Sequence, residues 1–446
     1  MSTSPLHVII IGAGTGGLCL AHGLQRAGIS VAVYERDRTR TDGLQGYRVG
    51  IDPDGSRALH ACLPPELFDT FVATCARTPQ YFNMLTEQLS EMLSLTLQPN
   101  TDPIISEKSV SRMTLRQVLL TGLEAVVHFD KSFVRYEQTD GKVTAFFEDG
   151  TCATGDILVG ADGSNSRVRK QLLPQAKLEE SGILGIAGKV ALTSEIKALL
   201  PPKVFNGITM VFAPKGYSCI LHVMEFKWDR NGVKAGIGGT DADLIARWPG
   251  LLYDNTTDYV MWGFGAARQR FPVDPLGLSG AQLIELAREM TAGWHPNLRT
   301  LIDRSDPSTC FPLNIRTSVP IAPWPTSAIT VLGDAIHTMT PGRGVGANTA
   351  LRDAALLCRN LIAARDGATS LQQAIHAYEA EMIRYGFAAV LASRKQMDGR
   401  DPIHKPVVGR LVLAGMRTGM RFVNAVPPLK RRMADEQLRF RGADRE

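Results

Sequence analysis

The 446-residue sequence predicts an α/β fold in which a Rossmann-like nucleotide-binding domain carries an inserted antiparallel β-sheet and is followed by C-terminal helices. The observations behind this prediction are a glycine motif at the start of the chain, period-two apolar runs in its middle, and a second glycine-rich turn near residue 340. The sequence predicts a discontinuous nucleotide-binding domain that comprises residues 1–181 and 272–395. Residues 182–271 form the predicted β-sheet domain, and residues 396–446 form a helical extension with a tail.

The opening segment reads as strand, tight turn and helix. His7–Ile11 is a short, β-branched apolar run, which is typical of a buried parallel strand. Gly12, Gly14 and Gly17 follow in G-x-G-x-x-G spacing. They suit a tight turn, close approach of a pyrophosphate to the backbone, and close helix–strand packing, respectively. The unpaired N–H groups at the helix start then favour a phosphate ligand.

A second apolar run, Ile29–Tyr34, ends at Glu35, which lies 18 positions after Gly17. An acidic side chain at this distance is where a ribose hydroxyl is bound in dinucleotide-binding units. The alternative is an ordinary βα turn, but strand, glycines, helix, second strand and terminal acid together favour the nucleotide site.

Two arginines follow in places that need an explanation. Tyr47, Val49 and Ile51 alternate as in a strand, so Arg48 points to the opposite face, either to the surface or towards a ligand. Arg112 lies in the first turn of a predicted helix, where the helix dipole disfavours a cation. An anionic partner would account for that position.

Two further turns resemble the first in their chemistry. A short strand ends in Gly160-Ala161-Asp162-Gly163, and Asp162 either caps the next helix or reaches a ligand. The strand 328–332 precedes Asp334, and the glycine-rich segment 341–348 leads into a helix. This segment predicts a second backbone cradle for a polar group.

Composition restricts the class of protein. The net charge is only +5 and the positively charged residues are mostly scattered, so we predict no nucleic-acid binding. Seven cysteines without C-x-x-C spacing predict reduced thiols in a cytoplasmic protein and no metal site.

The apolar segment 409–426 carries interspersed arginines. We favour a helix packed on the body over a weak membrane-surface contact aided by residues 430–432.

Together the three turns resemble those of the single-component FAD-dependent aromatic hydroxylases, the group of para-hydroxybenzoate hydroxylase and salicylate hydroxylase. The resemblance covers roughly residues 6–395 and implies a glutathione-reductase-type domain with non-covalent FAD. It also implies NADPH or NADH as a transient reductant, O2, and an aromatic or polyketide-like substrate hydroxylated through a flavin C4a-hydroperoxide. A monomer and a homodimer remain open.

The resemblance assigns cofactor roles along the chain. Gly12, Gly14 and Gly17 would cradle the pyrophosphate. Glu35 would bind the adenosine ribose, with Arg36 beside the adenine. Arg112, Asp162 and Asp334 would contact the FAD chain. Asp162 is also implied to serve the nicotinamide cofactor. Near the flavin ring the resemblance places Arg48, Pro341, Gly344, Gly346, Ala347 and Asn348.

The predicted sheet over 182–271 would cover the substrate. His222, Tyr217 and Trp262 lie on its strands and could act on a phenol, but such side chains are more often packed core residues, so no catalytic residue is assigned. The alternatives are an FAD-dependent halogenase or reductase on the same fold, or a non-catalytic FAD-binding protein. The halogenase motif W-x-W-x-I-P is missing from the sequence.

Overall fold

A computed structural model of the protein describes residues 6–40, 46–97, 100–226, 228–229, 232–233 and 258–440. Its strands are β1 His7–Ile11, β2 Ser30–Tyr34, β3 Arg48–Ile51, β4 Tyr81–Thr86, β5 Glu91–Thr96, β6 Lys108–Ser111, β7 Val127–His128, β8 Phe133–Thr139, β9 Lys142–Phe147, β10 Cys152–Gly155, β11 Ile157–Gly160, β12 Leu178–Ala191, β13 Gly207–Ala213, β14 Tyr217–Met224, β15 Trp228–Asp229, β16 Gly232–Val233, β17 Tyr259–Ala267, β18 Phe311–Ser318 and β19 Ile329–Val331. Its α-helices are α1 Thr15–Arg26, α2 Pro53–Cys62, α3 Pro65–Ala73, α4 Arg112–Leu120, α5 Arg167–Leu172, α6 Ser194–Leu199, α7 Pro202–Phe205, α8 Gly280–Met290, α9 Pro296–Asp303, α10 Asp334–His337, α11 Gly346–Arg365, α12 Leu371–Gln396, α13 Val408–Ala425 and α14 Pro427–Phe440.

The first sheet is parallel and has the strand order β19-β11-β1-β2-β7. The register places Ile11 beside Gly160, and Gly160 beside Val331. Parallel strands end at the same edge of a sheet, so the turns after β1, β11 and β19 lie side by side. The predicted α/β fold is confirmed.

The second sheet has seven strands in the order β18-β12-β17-β14-β13-β4-β5. Its pairs are antiparallel except for β13 with β4, which is parallel. Strands β4, β5 and β18 come from outside 182–271, so the sheet is wider than the predicted segment. These strands join by pairing over long sequence separations, which local periodicity does not reveal. The period-two run 232–237, which has the sequence pattern of a further strand of this sheet, lies mostly outside the described residues. The division into domains stays a prediction.

One face of the second sheet is packed against helices. Buried side chains of β14 and β17, among them Leu221 and Trp262, form one core with Leu283 of α8 and Leu298 of α9. Side chains alternate between the faces of a strand, so His222 points to the opposite face from Leu221. That opposite face bears His222, whereas the other two candidates, Tyr217 and Trp262, lie on the core face.

Helix α13 agrees closely with the predicted helix over 409–426. Its fully buried residues are Gly409 and Leu413, and its inner face packs on strand β5. In the described part of the chain, no helix combines the length and apolar character needed to cross a bilayer. All seven cysteines are free, and only Cys152 is exposed.

Candidate functional site

Glycines allow the turns of the parallel sheet to pack against one another. A Cβ atom added at Gly12 would lie 2.5 Å from the carbonyl oxygen of Ala161, and one added at Gly17 would lie 2.3 Å from that of Gly12. At Gly16 the added atom would lie 2.7 Å from Leu332 Cδ1, which links the opening turn to the segment after β19. A larger residue at Gly12 or Gly17 would strain the turns, because the atoms that it would meet belong to the backbone and cannot yield as side chains do.

Gly14 differs from these glycines because its added Cβ would meet only the carbonyl oxygen of Ala161, at 3.9 Å. The fold itself leaves this position open. An open backbone at the start of α1 is what a bulky anionic group such as a pyrophosphate requires. The residues present therefore fit the phosphate end of a dinucleotide.

Both helices that border the site have unprotected N-termini. Gly14 precedes α1 and Val345 precedes α11, and neither supplies a side-chain cap. Neither helix has an acidic residue in its first turn. The N–H groups there can donate hydrogen bonds to an anionic or electron-rich ligand, and the positive end of each helix dipole favours such a ligand.

Glu35 holds the opening turn in place. Its Oε2 accepts a hydrogen bond from the backbone N–H of Ala13 at 2.6 Å, and its Oε1 accepts one from Asp37 at 3.0 Å. The side chain is buried, whereas the neighbouring Arg36 is exposed. Binding of a ribose by Glu35 and proximity of Arg36 to an adenine stay predictions.

Asp334 and Arg112 come together from distant parts of the sequence. Asp334 follows β19, and its side chain keeps access to solvent although protein surrounds it. Restricted hydration raises the pKa of the Asp334 carboxyl, while the positive charges of His337 and Arg112 oppose that rise. A solvent-accessible carboxylate at this edge of the parallel sheet is suited to binding ligand hydroxyls. The acidic neighbour also explains why a cation is tolerated at the start of α4.

Asp162 performs the first of the two roles that the sequence left open, the capping of a helix. Its Oδ2 accepts hydrogen bonds from the backbone N–H groups of Arg167 at 2.7 Å and Val168 at 3.3 Å, so it caps α5. Its Oδ1 is buried and has no hydrogen-bond partner among the described residues. Burial raises the pKa of this carboxyl. Ligand binding through Oδ1 stays a prediction.

The segment before α11 contributes backbone rather than side chains. Pro341 and Gly344 are exposed, and Gly346 and Ala347 are half-buried, so this loop is accessible to a ring. Gly344 has a φ of 63°, a conformation that favours glycine. Placement of these four residues along a flavin edge stays a prediction.

The side chain of Asn348 is used inside the protein. Its Nδ2 donates a hydrogen bond to the carbonyl oxygen of Gly50 at 2.8 Å, and its Oδ1 accepts one from the N–H of Asp52 at 3.0 Å. The residue is buried and its amide is used in these bonds, so a contact of Asn348 with a flavin ring stays a prediction. Asn348 joins the start of α11 to the end of β3, a role that the sequence did not indicate.

Asp353 organises the turn after β19, and the sequence analysis missed it. This buried carboxylate accepts hydrogen bonds from the N–H of Gly333 at 2.7 Å and from Tyr385 Oη at 2.6 Å, and it bonds His337 Nε2 at 2.6 Å. Burial lowers the pKa of His337, but the carboxylates of Asp353 and Asp334 together outweigh that effect and raise the pKa above its ordinary value. The only signal in the sequence is a polar residue on an apolar helix face.

His222 is a polar residue on the face of the second sheet that lies opposite the core. It is buried, and neither ring nitrogen has a hydrogen-bond partner among the described residues. Burial and the charge of Arg48 together lower its pKa far below the ordinary value, so the imidazole is neutral near pH 7. Arg48 is itself positioned by a hydrogen bond of 2.9 Å from its Nε to Ser109 Oγ.

The other two candidates on this sheet are core residues. Trp262 donates a hydrogen bond from Nε1 to Ser305 Oγ at 2.7 Å, and Tyr217 packs edge-on against Phe264. Both belong to the core between the sheet and its helices. The described residues contain no group of three or more His, Cys, Asp or Glu side chains able to hold a metal ion.

Comparison with known proteins identifies the family. A model of the FAD binding domain family matches residues 5–261 and 310–393. The chain is 32% identical over 398 residues to the dual O-methyltransferase/FAD-dependent monooxygenase CTB3 of Cercospora beticola, covering 84% of this chain and 44% of that protein. It is 28% identical to the 6-hydroxynicotinate 3-monooxygenase of Pseudomonas fluorescens, covering 85% and 88% respectively.

The solved structures agree with this assignment. A crystal structure of a putative FAD-containing monooxygenase from Photorhabdus luminescens has a TM-score of 0.74 and 33% identity, and the match covers 88% of this chain and 98% of that one. The chain spans less than half the length of the first curated relatives that it matches. From the family match, the chain belongs to the FAD binding domain family, and the relatives named above are FAD-dependent or related monooxygenases.

Proposed function

We propose that the protein is an FAD-dependent monooxygenase that uses NAD(P)H and O2 to hydroxylate an aromatic or polyketide-like small molecule. The observation that carries the proposal is the shared edge of the parallel sheet, where the open backbone at Gly14, the carboxylate of Asp334 and the uncapped start of α11 meet. The names of the relatives favour oxygen insertion over halogenation, reduction or a non-catalytic role.

The chain's own residues would hold and orient the cofactor. The first turn of α1 would bind the pyrophosphate through backbone N–H groups, Asp334 would accept hydrogen bonds from hydroxyls, and the start of α11 would stabilise negative charge on the ring. When bound, FAD supplies the electron transfer from NAD(P)H to O2 and the activated oxygen. The second sheet would exclude water from the space beside the ring.

His222 is the side chain that we assign to the substrate. A buried imidazole without a partner is costly unless a ligand supplies the missing hydrogen bond. Because its pKa is low, the neutral ring can accept a hydrogen bond from a phenol or donate one to a carbonyl. The charge of Arg48 nearby also favours an electron-rich or anionic group on the substrate.

The first experiment measures FAD and turnover in the purified full-length chain. It should release FAD on denaturation, and a screen of phenols, polyketides and nitrogen heteroaromatics should find compounds that accelerate NAD(P)H oxidation. With ¹⁸O2, the product of such a compound should carry one labelled oxygen atom. Stimulated NAD(P)H oxidation with a halogenated or unlabelled product would contradict the proposal.

Two substitutions separate the cofactor site from the substrate site. Asp334→Ala should lose FAD, whereas Asp140→Asn, an exposed acid in a hairpin turn, should retain it. His222→Asn should keep FAD but raise KM for the stimulating compound by about tenfold, the loss expected for one buried hydrogen bond. An unchanged KM in the histidine variant would reject its assignment without affecting the assignment of the cofactor.

A further inference from the structure

The outer face of helix α13 is an exposed apolar stripe. Val408, Leu411, Val412 and Phe422 recur at helical spacing on one side, and Leu411 and Phe422 are 71% and 62% exposed. Six of the ten exposed large hydrophobic side chains in the described residues lie between 407 and 429. Soluble proteins usually scatter such side chains, so their concentration on one helix marks an interaction surface.

The inner face of the same helix is fixed to the protein. Leu413 is buried, and Met420 and Val423 pack on the cluster beneath β4 and β5. Arg417 forms an ion pair with Glu87, and Asn424 Nδ2 donates a hydrogen bond to Glu91 Oε1 at 3.0 Å. These contacts hold the helix on the body with its apolar stripe facing outward.

Cations outnumber acids around the stripe, although Arg417 is paired with Glu87 and Arg432 with Glu436. Residues 402–434 contain seven Lys or Arg residues and no Asp or Glu, whereas the whole chain has a net charge of only +5. Lys405, Arg410, Arg421, Arg431 and Arg432 are exposed around the stripe or on the helix that follows it. A helix with an apolar face bordered by cations matches the chemistry of an anionic lipid surface.

We propose that α13 binds this protein to the surface of membranes that contain anionic lipids. The apolar side chains would enter the interface between headgroups and acyl chains, and the arginines and lysines would contact the headgroups. A second copy of the chain fits less well, because a two-fold contact through this helix would bring two cationic surfaces together. The proposal does not depend on the identity of the substrate or on turnover.

The test is sedimentation of the full-length protein with lipid vesicles. We expect at least about tenfold more binding to phosphatidylcholine vesicles with about 30 mol% phosphatidylserine than to phosphatidylcholine alone. About 0.5 M NaCl should weaken the binding, because salt screens the headgroup contacts. Leu411→Glu with Phe422→Glu should abolish it, while Val273→Glu, at a 51% exposed apolar site elsewhere, should leave it unchanged.

Circular dichroism and FAD content of each variant would verify that the fold is intact. Because both substituted side chains of α13 are largely exposed, neither change should disturb the core. Wild-type protein that ignores anionic vesicles, or a double variant that binds them as well as wild type, would overturn the proposal. A wild-type dimer that becomes monomeric in the double variant, without vesicle binding, would assign the stripe to an interface between copies instead.

Discussion

Replacing Gly14 by alanine should weaken FAD binding and leave the stability of the protein nearly unchanged. The added methyl would have only one neighbour, at 3.9 Å, and the backbone there has a φ of −81°, which alanine adopts readily. The lower entropy of the unfolded chain and the poorer helix cap oppose each other, so the free energy of unfolding should change by less than about 0.5 kcal/mol.

The effect on the cofactor should be much larger. The methyl would occupy the space through which a pyrophosphate approaches the backbone, and a hydrogen bond to a charged group contributes about 1.5–3 kcal/mol. The Kd for FAD should therefore rise by about 10- to 150-fold. Calorimetric titration of the apoprotein with FAD measures this change, and urea unfolding of the apoprotein measures the stability.

Gly17→Ala is the contrasting variant. Its Cβ would lie 2.3 Å from a backbone oxygen, so the opening turn or α1 must shift. We expect a loss of roughly 1–3 kcal/mol in the free energy of unfolding. If Gly14→Ala binds FAD as tightly as the wild type, the reasoning about the open turn is refuted.

Two further predictions concern the framework of the site. His22 is buried on α1 with its Nε2 hydrogen-bonded to the carbonyl oxygen of Leu119 at 2.9 Å, and burial lowers its pKa from 6.5 to about 4. As the pH falls from about 6.5 to 4, the unfolded chain takes up the proton first. The wild type should therefore lose up to about 3 kcal/mol of stability, which His22→Gln should not lose. If the free energies of unfolding of the two proteins, measured with urea, changed in parallel with pH, this prediction would be contradicted. Asn348→Ala should lower the free energy of unfolding by about 2–4 kcal/mol, because it leaves the carbonyl of Gly50 and the N–H of Asp52 buried without partners. An unchanged urea midpoint for that variant would contradict the structural role of Asn348.

Local features of the chain were predictable from sequence. Strand β1 has the predicted bounds His7–Ile11, and the glycine spacing correctly located the helix that follows. Such signals are contained in adjacent residues, because apolar runs and glycines specify a strand and its turn directly. Where a turn interrupts a run the prediction was less accurate. The segment 125–134 has the sequence pattern of one strand, but it divides into β7 and β8 around Asp130, which has a φ of 58°.

Features that depend on distant partners could not be predicted. Strands β4 and β18 join the second sheet only through pairing with β13 and β12. Likewise, Asn348 and Asp353 have their roles because of backbone groups at Gly50 and Gly333. Such partners become visible only when the fold brings the segments together. A sequence motif identifies a polar residue, but it does not show whether the side chain of that residue faces a ligand or the protein.

The measurement that tests the account most directly is a photometric titration of the purified full-length protein with FAD. The account predicts saturation at one FAD per chain, and the same titration of Asp334→Ala should show no saturable binding. A wild-type chain that contains no flavin and takes up none from solution would contradict the claim that the edge of the parallel sheet is a cofactor site.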